Sequence, residues 1–521
     1  MILHSKRRVL PFSEMGTAEP LLLFHFLQFI LMGFINTKKA VLICTAIITS
    51  LCSVQAADEA SLPVLKITFD APIVRNMPYA NGTMQLTDTN GKVIEMKAKF
   101  KTRGATAQQY LMKPSLNMKL RTEDYSASQD SALLDMRSCS KWILDAMAID
   151  RICMRNRVCM DVWNEYSQLP YETDFNQRSG TVGKFVELYI NGKHYGIYCM
   201  SDHINRKLLN LKKYDEQKGL VRGVLYKSGT EDIADQNNRN FTDDYTAATI
   251  GWHNAWELKE PEDYPCAEAW QPLLDLYDNV KTYDQVKQYF YLDNLVDYQL
   301  LIMAFSIQDN WGNKNRFLSV RNIQKDINDI DPIEAARRKF VVSPWDLDTS
   351  LGGRYDGSYY DGTYSTWNVS DVVKNGGFFP FSTCQGQTEY KTLMKNRWKE
   401  LRNGALSEAA INKRLEDYRD LFINSGAWKR MTDTFDAKSS KPCYVSDLSK
   451  EVSLIEGWYA SRCKEMDQYF GVTTPTGIDE INTEETEAKT NSTIYDLKGV
   501  RYSSLPDTHG VFILNGKKII K

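Results

Sequence analysis

The chain has 521 residues, of which 43% are apolar, 25% charged and 12% aromatic, a globular composition that excludes a short disulfide scaffold, a collagen-like repeat and a disordered polymer. Lys and Arg number 64 against 66 Asp and Glu, a net charge of -2. Such near-balance supplies no global field for nucleic acid, and no nucleic-acid partner is expected.

Lys38 and Lys39 precede an apolar run over 40–51, and Val54 and Ala56 place small residues where a signal peptidase needs them. We read residues 1–57 as a leader cleaved near Ala56, which sends the chain to the periplasm, cell surface or medium. An earlier apolar stretch over 20–34 is shorter than the about 20 residues a membrane-spanning helix requires. A start at Met32 is the simplest account of residues 1–31; a longer leader or an anchor is the alternative. The mature chain carries no expected span, 59 basic and 64 acidic groups, and eight cysteines without a Cys-x-x-Cys pair. An exported chain permits disulfides, yet this spacing argues against structural zinc and for buried thiols.

Ile94, Met96, Ala98 and Phe100 alternate with charged residues and predict a strand, as do Leu116, Met118 and Leu120. Residues 141–166 show helical spacing through Trp142, Leu144, Ala148 and Ile152. Two apolar runs flank Asn191-Gly192, a strong hairpin signal because Asn-Gly suits the positive φ angles of a type I′ turn. Residues 292–307 predict a helix ending at Gln308-Asp309-Asn310-Trp311-Gly312-Asn313-Lys314-Asn315. Strands are expected at 316–321 and 339–343, the second running into Pro344-Trp345-Asp346-Leu347-Asp348. Helices return over 385–470, an acidic linker follows over 471–492, and residues 493–521 predict a small β module.

Phosphoryl transfer from ATP needs a loop over the phosphates, a cation to neutralise them, and oxygen ligands for Mg²⁺ beside a base. The chain supplies these types in the order a protein kinase uses, with one departure. Asn315 lies six residues after Asp309, where the kinase catalytic loop uses five.

The residues themselves resemble the CotH (spore coat protein H) kinase family. The resemblance rests on Arg103-Gly104-Ala105-Thr106 with Lys113-Pro114-Ser115, on Trp142-Ile143-Leu144-Asp145 with Met154-Arg155-Asn156, and on the hairpin from Val186 to Tyr198. The segments 308–315 and 344–348 complete it, so that it covers about 62–470. It implies an α+β, atypical protein-kinase-like two-lobed domain over 58–470 that uses ATP with Mg²⁺ or Mn²⁺ to phosphorylate Ser or Thr of a protein acceptor. By the same resemblance Asp309 is the catalytic base, Asn315 and Asp346 are metal ligands, and Asp348 shares the metal. Lys113 is the preferred phosphate cation, with Lys119 as runner-up; Arg103 and Lys227 are further nucleotide contacts. Arg155 and Asn156 brace the two lobes, and Trp345 is core packing that positions Asp346. Ala105 and Thr106 replace the family's Asn and Ser, and Asp202 or its neighbour stands where the family carries Glu. Residues 493–521 resemble the C-terminal sorting or attachment modules of exported Bacteroidota proteins.

Two other readings stand beside the kinase. A catalytically silent surface adhesin of the same fold would bind glycan or protein through the aromatic-rich stretch 355–367. A glycoside hydrolase would need Asp309 roughly 5 to 10 Å from a second carboxylate.

Overall fold

The computed structural model describes residues 61–104, 106–171, 177–228, 252–253, 256–310, 314–324, 338–354, 369, 378–435 and 444–472, and four short strands between 494 and 520. The leader, the aromatic-rich stretch 355–367 and most of the acidic linker lie outside the described residues. Two compact units are present, Met1–Val472 and Thr473–Lys521.

In the first unit, seven strands close into a barrel: β1 (Val64–Phe69), β2 (Ala80–Thr87), β3 (Val93–Thr102), β4 (Leu116–Arg121), β5 (Lys141–Asp145), β6 (Gly183–Ile190) and β7 (Lys193–Ser201). Their order is β1-β2-β3-β4-β5-β7-β6, with β1 closing on β6 in parallel. Period-two alternation builds this wall: Ala98 and Phe100 of β3, Leu116, Met118 and Leu120 of β4, and Trp142 and Leu144 of β5 all fill the interior. Their neighbours in sequence therefore face outward.

The expected helix over 141–166 is corrected here. Residues 141–145 form β5, hydrogen-bonded between β4 and β7, and the helix α1 begins only at Arg155 and ends at Tyr166. Met147 and Cys153 adopt φ of 50° and 56°, which a continuous helix cannot contain. Asp150 starts the helix instead, its Oδ2 accepting from the backbone N–H of Met154 and Arg155 at 2.8 Å each. Trp142 and Leu144 are two apart, a strand spacing, whereas the four-residue steps from Leu144 to Ala148 and Ile152 suit a helix, and pairing with β4 decides the segment.

The second sheet has the order β12-β11-β8-β10-β9, built from β8 (Val224–Ser228), β9 (Trp252–His253), β10 (Trp256–Glu260), β11 (Arg316–Val320) and β12 (Phe340–Pro344). Helices α2 (Ala267–Asn279), α3 (Tyr283–Tyr289) and α4 (Leu292–Phe305) precede β11, and α5 (Phe379–Cys384), α6 (Thr388–Arg402), α7 (Glu408–Asn424), α8 (Ala427–Thr434) and α9 (Leu448–Phe470) follow β12. From Asn294 onward every residue of α4 is buried, and this helix lies at the centre of the large apolar core. The mixed α+β class is as expected; closure of the barrel was not.

Lys113 joins barrel to helices. Its buried ammonium donates to the carbonyls of Ala146 and Ile197 at 2.9 and 2.8 Å, beneath the rings of Tyr198, Phe435 and Tyr444. Glu187 adds a bidentate pair to Arg430 of α8 at 3.0 and 2.6 Å. Among the described cysteines all seven are free thiols, six of them buried; Cys443 lies outside the described residues.

The second unit contributes β13 (Ile494–Asp496), β14 (Arg501–Tyr502), β15 (Val511–Leu514) and β16 (Lys517–Ile520), paired antiparallel in the order β14-β13-β15-β16. No helix among the described residues is long and apolar enough to cross a membrane.

Candidate active site

Asp309 sits in a single 3₁₀ turn, Gln308–Asn310, between the end of α4 and β11. Its two carboxylate oxygens are held from both sides: Lys314 Nζ donates to Oδ1 at 2.9 Å, and Asn315 Nδ2 to Oδ2 at 3.0 Å. Asn315 also donates to the Asp309 carbonyl at 3.1 Å. The Asp309 backbone N–H donates to Thr349 Oγ1 at 3.2 Å, which fastens the turn to the chain beyond Asp348.

Asn310 was not singled out in the sequence, and it holds the site together. The side chain is fully buried, and its Nδ2 donates to the carbonyls of Asn315 and Trp345, each at 2.9 Å. One amide thus ties the Asp309 turn to the Trp345-Asp346 turn. Asn315 and Asp346 both take positive φ, 54° and 59°, a region in which Asn and Asp are the best tolerated of the non-glycine residues. Backbone strain collects at functional sites, and two of the expected metal ligands carry it here.

Asp346 is solvent-accessible and lines a concavity crowded by protein atoms. That crowding, and next the charge of Asp309, raises its carboxyl above the ordinary range; Arg103 and Lys227 oppose the shift. Asp348 is raised further, by burial first and then by Asp346, Asp145 and Asp309. The carboxylates therefore feel one another as a group. A cation placed among them would relieve that repulsion.

Arg103 and Lys227 form the basic side of the same place. The Arg103 guanidinium and the Lys227 ammonium lie 5.8 and 5.5 Å from the centroid of Trp345, whose ring packs edge-on against Phe317. Burial lowers the Lys227 pKa, and Arg103 lowers it further. Arg103 and Trp345 line two adjoining cavities. The smaller, of about 30 Å³, is shared with Asp145, Asn156 and Asp346 and has room for a water molecule or small ion. The larger, of about 980 Å³, opens beside it and is rich in lysine.

The structure thus brings together Arg103, Lys227, Asp309, Asn315, Asp346 and Asp348. Lys119 lines the larger cavity from the barrel wall. Lys113 is not brought there: its ammonium is consumed by the Ala146 and Ile197 carbonyls inside the core, where solvent and ligand do not reach. Its nearness in sequence to Arg103 does not carry through the turn at Thr106–Gln109. Asn156 Oδ1 accepts from the Leu347 N–H at 3.3 Å, and Arg155 makes a buried ion pair with Asp150 at 2.6 Å. Trp345 is cavity wall more than core. Asp202, fully buried, pairs with Arg137 at 2.5 Å.

Asp145 went unnoticed because the 141–166 segment was read as helix. As the outward-facing last residue of β5 it reaches the small cavity beside Asp346.

Among the described residues no three acidic, His or Cys side chains already form a ligand set. Magnesium is commonly held by one or two carboxylates, with substrate phosphates and water completing its shell. Asp346 and Asp348, with the Asn315 amide nearby, fit an ion of that kind arriving with a nucleotide.

No curated protein sequence matches the chain. A family model does: the CotH kinase protein model matches residues 100–466, which spans the barrel from the end of β3, the second sheet and the helices through most of α9. With that match extending over more than half of its length, and through every residue of the site just described, the chain belongs to the CotH kinase protein family.

Proposed function

We propose that the protein is an exported, atypical, two-lobed protein kinase that transfers the γ-phosphoryl group of ATP to Ser or Thr of a protein acceptor. The observation that carries this reading is the electrostatic linkage of Asp346 to a doubly held carboxylate, Asp309, and to the cations Arg103 and Lys227. Arg103 lines two adjoining cavities, the smaller shared with Asp346 and the larger with Lys227. In this reading the barrel side and the helical side with the second sheet act as the two lobes.

Lys314 and Asn315 orient Asp309 so that a remaining carboxylate lone pair accepts the proton of the acceptor hydroxyl. The hydroxyl oxygen forms its bond to the γ-phosphorus as the bond to the departing ADP oxygen breaks. Arg103 and Lys227 hold phosphate oxygens, and Lys119, in the same large cavity, stands in reserve. Asp346, Asp348 and Asn315 would hold Mg²⁺ or Mn²⁺, which supplies charge neutralisation across the phosphates. Positioning and electrostatics therefore do most of the work, as phosphoryl transfer requires.

Export is supported by the run from Lys38 to Ala56, and surface attachment by the resemblance of 493–521 to sorting modules. The test is labelling. Incubated with γ-labelled ATP and Mg²⁺, the mature chain should label itself or an added Ser/Thr-containing protein. Asp346→Ala should lower the rate by about 10²-fold or more. Equal labelling by wild type and variant, or none by either, would contradict the kinase reading and favour the silent surface protein.

A further inference from the structure

The barrel carries a charge pattern that folding alone disfavours. Lys97, Lys99 and Lys101 alternate on β3 with the interior residues Ala98 and Phe100, so all three share the outer face. Register places Lys99 opposite Lys119, Lys119 opposite Lys141, and Lys97 opposite Arg121. Like charges directly across a strand pair destabilise a sheet. On the other side of β3 the partners of Lys97 and Lys99 are the neutral Thr83 and Asn81.

Acidic relief is partial: Asp130, Glu260, Glu262 and Asp263 line the large cavity, and Glu95 ends the β3 face. Glu262 accepts from Lys141 at 2.9 Å, and Glu123, 89% exposed, stands 3.7 Å from Lys97. The Arg121 guanidinium donates to the carbonyls of Tyr125 and Ser126. The row does not end at the open surface, because Lys101, Lys119 and Lys141 line the same large cavity as Arg103 and Lys227.

We propose that this outer face of β3, β4 and β5 docks an acidic, extended polypeptide segment; that the segment is the phosphoryl acceptor rests on the kinase reading, whereas docking stands without it. Charge complementarity asks for an anion. The cations at alternate positions along β3 repeat at roughly 6.6–6.8 Å, the same interval as alternate carboxylates on an extended peptide. Single-stranded nucleic acid would call for aromatic platforms along the track. The outward positions register Asn81, Thr83 and Asn117 beside the lysines, with Glu95 paired to Gln85 at the far end of the face, and the neighbouring Tyr79 ring is already covered by the ammonium groups of Lys101 and Lys119 at 5.1 and 4.4 Å.

The test is binding without nucleotide. Fluorescence anisotropy of a labelled repeating Glu-Ser peptide with the full chain should show saturable binding that weakens with added salt, whereas a Lys-Ser repeat does not bind. Lys97→Ser combined with Lys99→Ser should weaken the Glu-Ser complex by about fivefold to tenfold, the scale of two surface charges. The same variant should keep or raise its melting temperature, since it removes like-charge pairs across β3 and β4, and should keep its response to Mg-ATP, which separates failure of docking from failure of the nucleotide reading. Lys99→Glu should shift preference toward the Lys-Ser repeat. Equal binding of both peptides, an affinity untouched by the double variant, or tighter binding of an oligothymidylate of equal charge would overturn the proposal.

Discussion

Lys113 and Lys227 carry the same functional group to opposite fates. Two carbonyls and three aromatic rings enclose Lys113, and burial pushes its pKa down from 10.5 to about 8. The unfolded chain therefore binds this proton more tightly between those two values, and the Lys113 contribution to stability rises with pH across that window. Replacement by Met leaves two buried carbonyls without their donor, a loss of about 1–3 kcal/mol near neutrality. The gap between wild type and Lys113→Met in urea unfolding should widen by up to about 3 kcal/mol from pH 8 to pH 10.5. A constant gap would refute the buried-cation account. Sequence parity could place Lys119 on the polar face of its strand, and the segments around Asp309, Asn315, Asp346 and Asp348 stood out by their resemblance to the family. Nothing local in the sequence shows which lysine is swallowed by a core assembled from residues over 300 positions away, such as Phe435 and Tyr444.

Among the elements, two contacts decide whether the site has its shape. Asn310 holds the turn before β11 to the turn after β12 through one amide. Asn310→Ala should cut the labelling rate by about 10²-fold through misplacement of Asp309 against Asp346, while the shift in melting temperature on adding Mg-ATP persists. Loss of that shift together with the rate would instead assign Asn310 to nucleotide binding. Gly196 of β7 has φ of 81°, and a Cβ there would lie 2.5 Å from Met431 Cγ on α8. Gly196→Ala should cost about 2–4 kcal/mol in urea unfolding, from strain and overpacking together; a loss under about 0.5 kcal/mol would mean that α8 yields. The β6–β7 hairpin was legible because Asn191-Gly192 fixes its turn and its flanking runs are apolar. For β5, by contrast, the four-residue steps from Leu144 to Ala148 and Ile152 read as helix although Trp142 and Leu144 are two apart, and the ladder to β4 and β7 selects the strand. Asp145 was lost with that choice.

At the scale of the whole molecule, the α+β class and the order of the chemical parts follow from local pattern, whereas barrel closure depends on β1 meeting β6 across more than 100 residues and leaves no local trace. Closure gives the site its rigid wall, and the turns of the helical side deliver the carboxylates against it. The account stands on nucleotide being held where Asp346 meets Arg103 and Lys227, and the melting temperature reads that directly. With Mg-ATP at ten times its Kd, ligand binding adds about 1.4 kcal/mol, a rise of about 1–3 °C for a chain of this size. The account predicts that rise for wild type and for Lys113→Met, each measured against its own nucleotide-free sample, and its disappearance in Asp346→Asn. No rise in wild type at millimolar Mg-ATP, or an equal rise in Asp346→Asn, would contradict it.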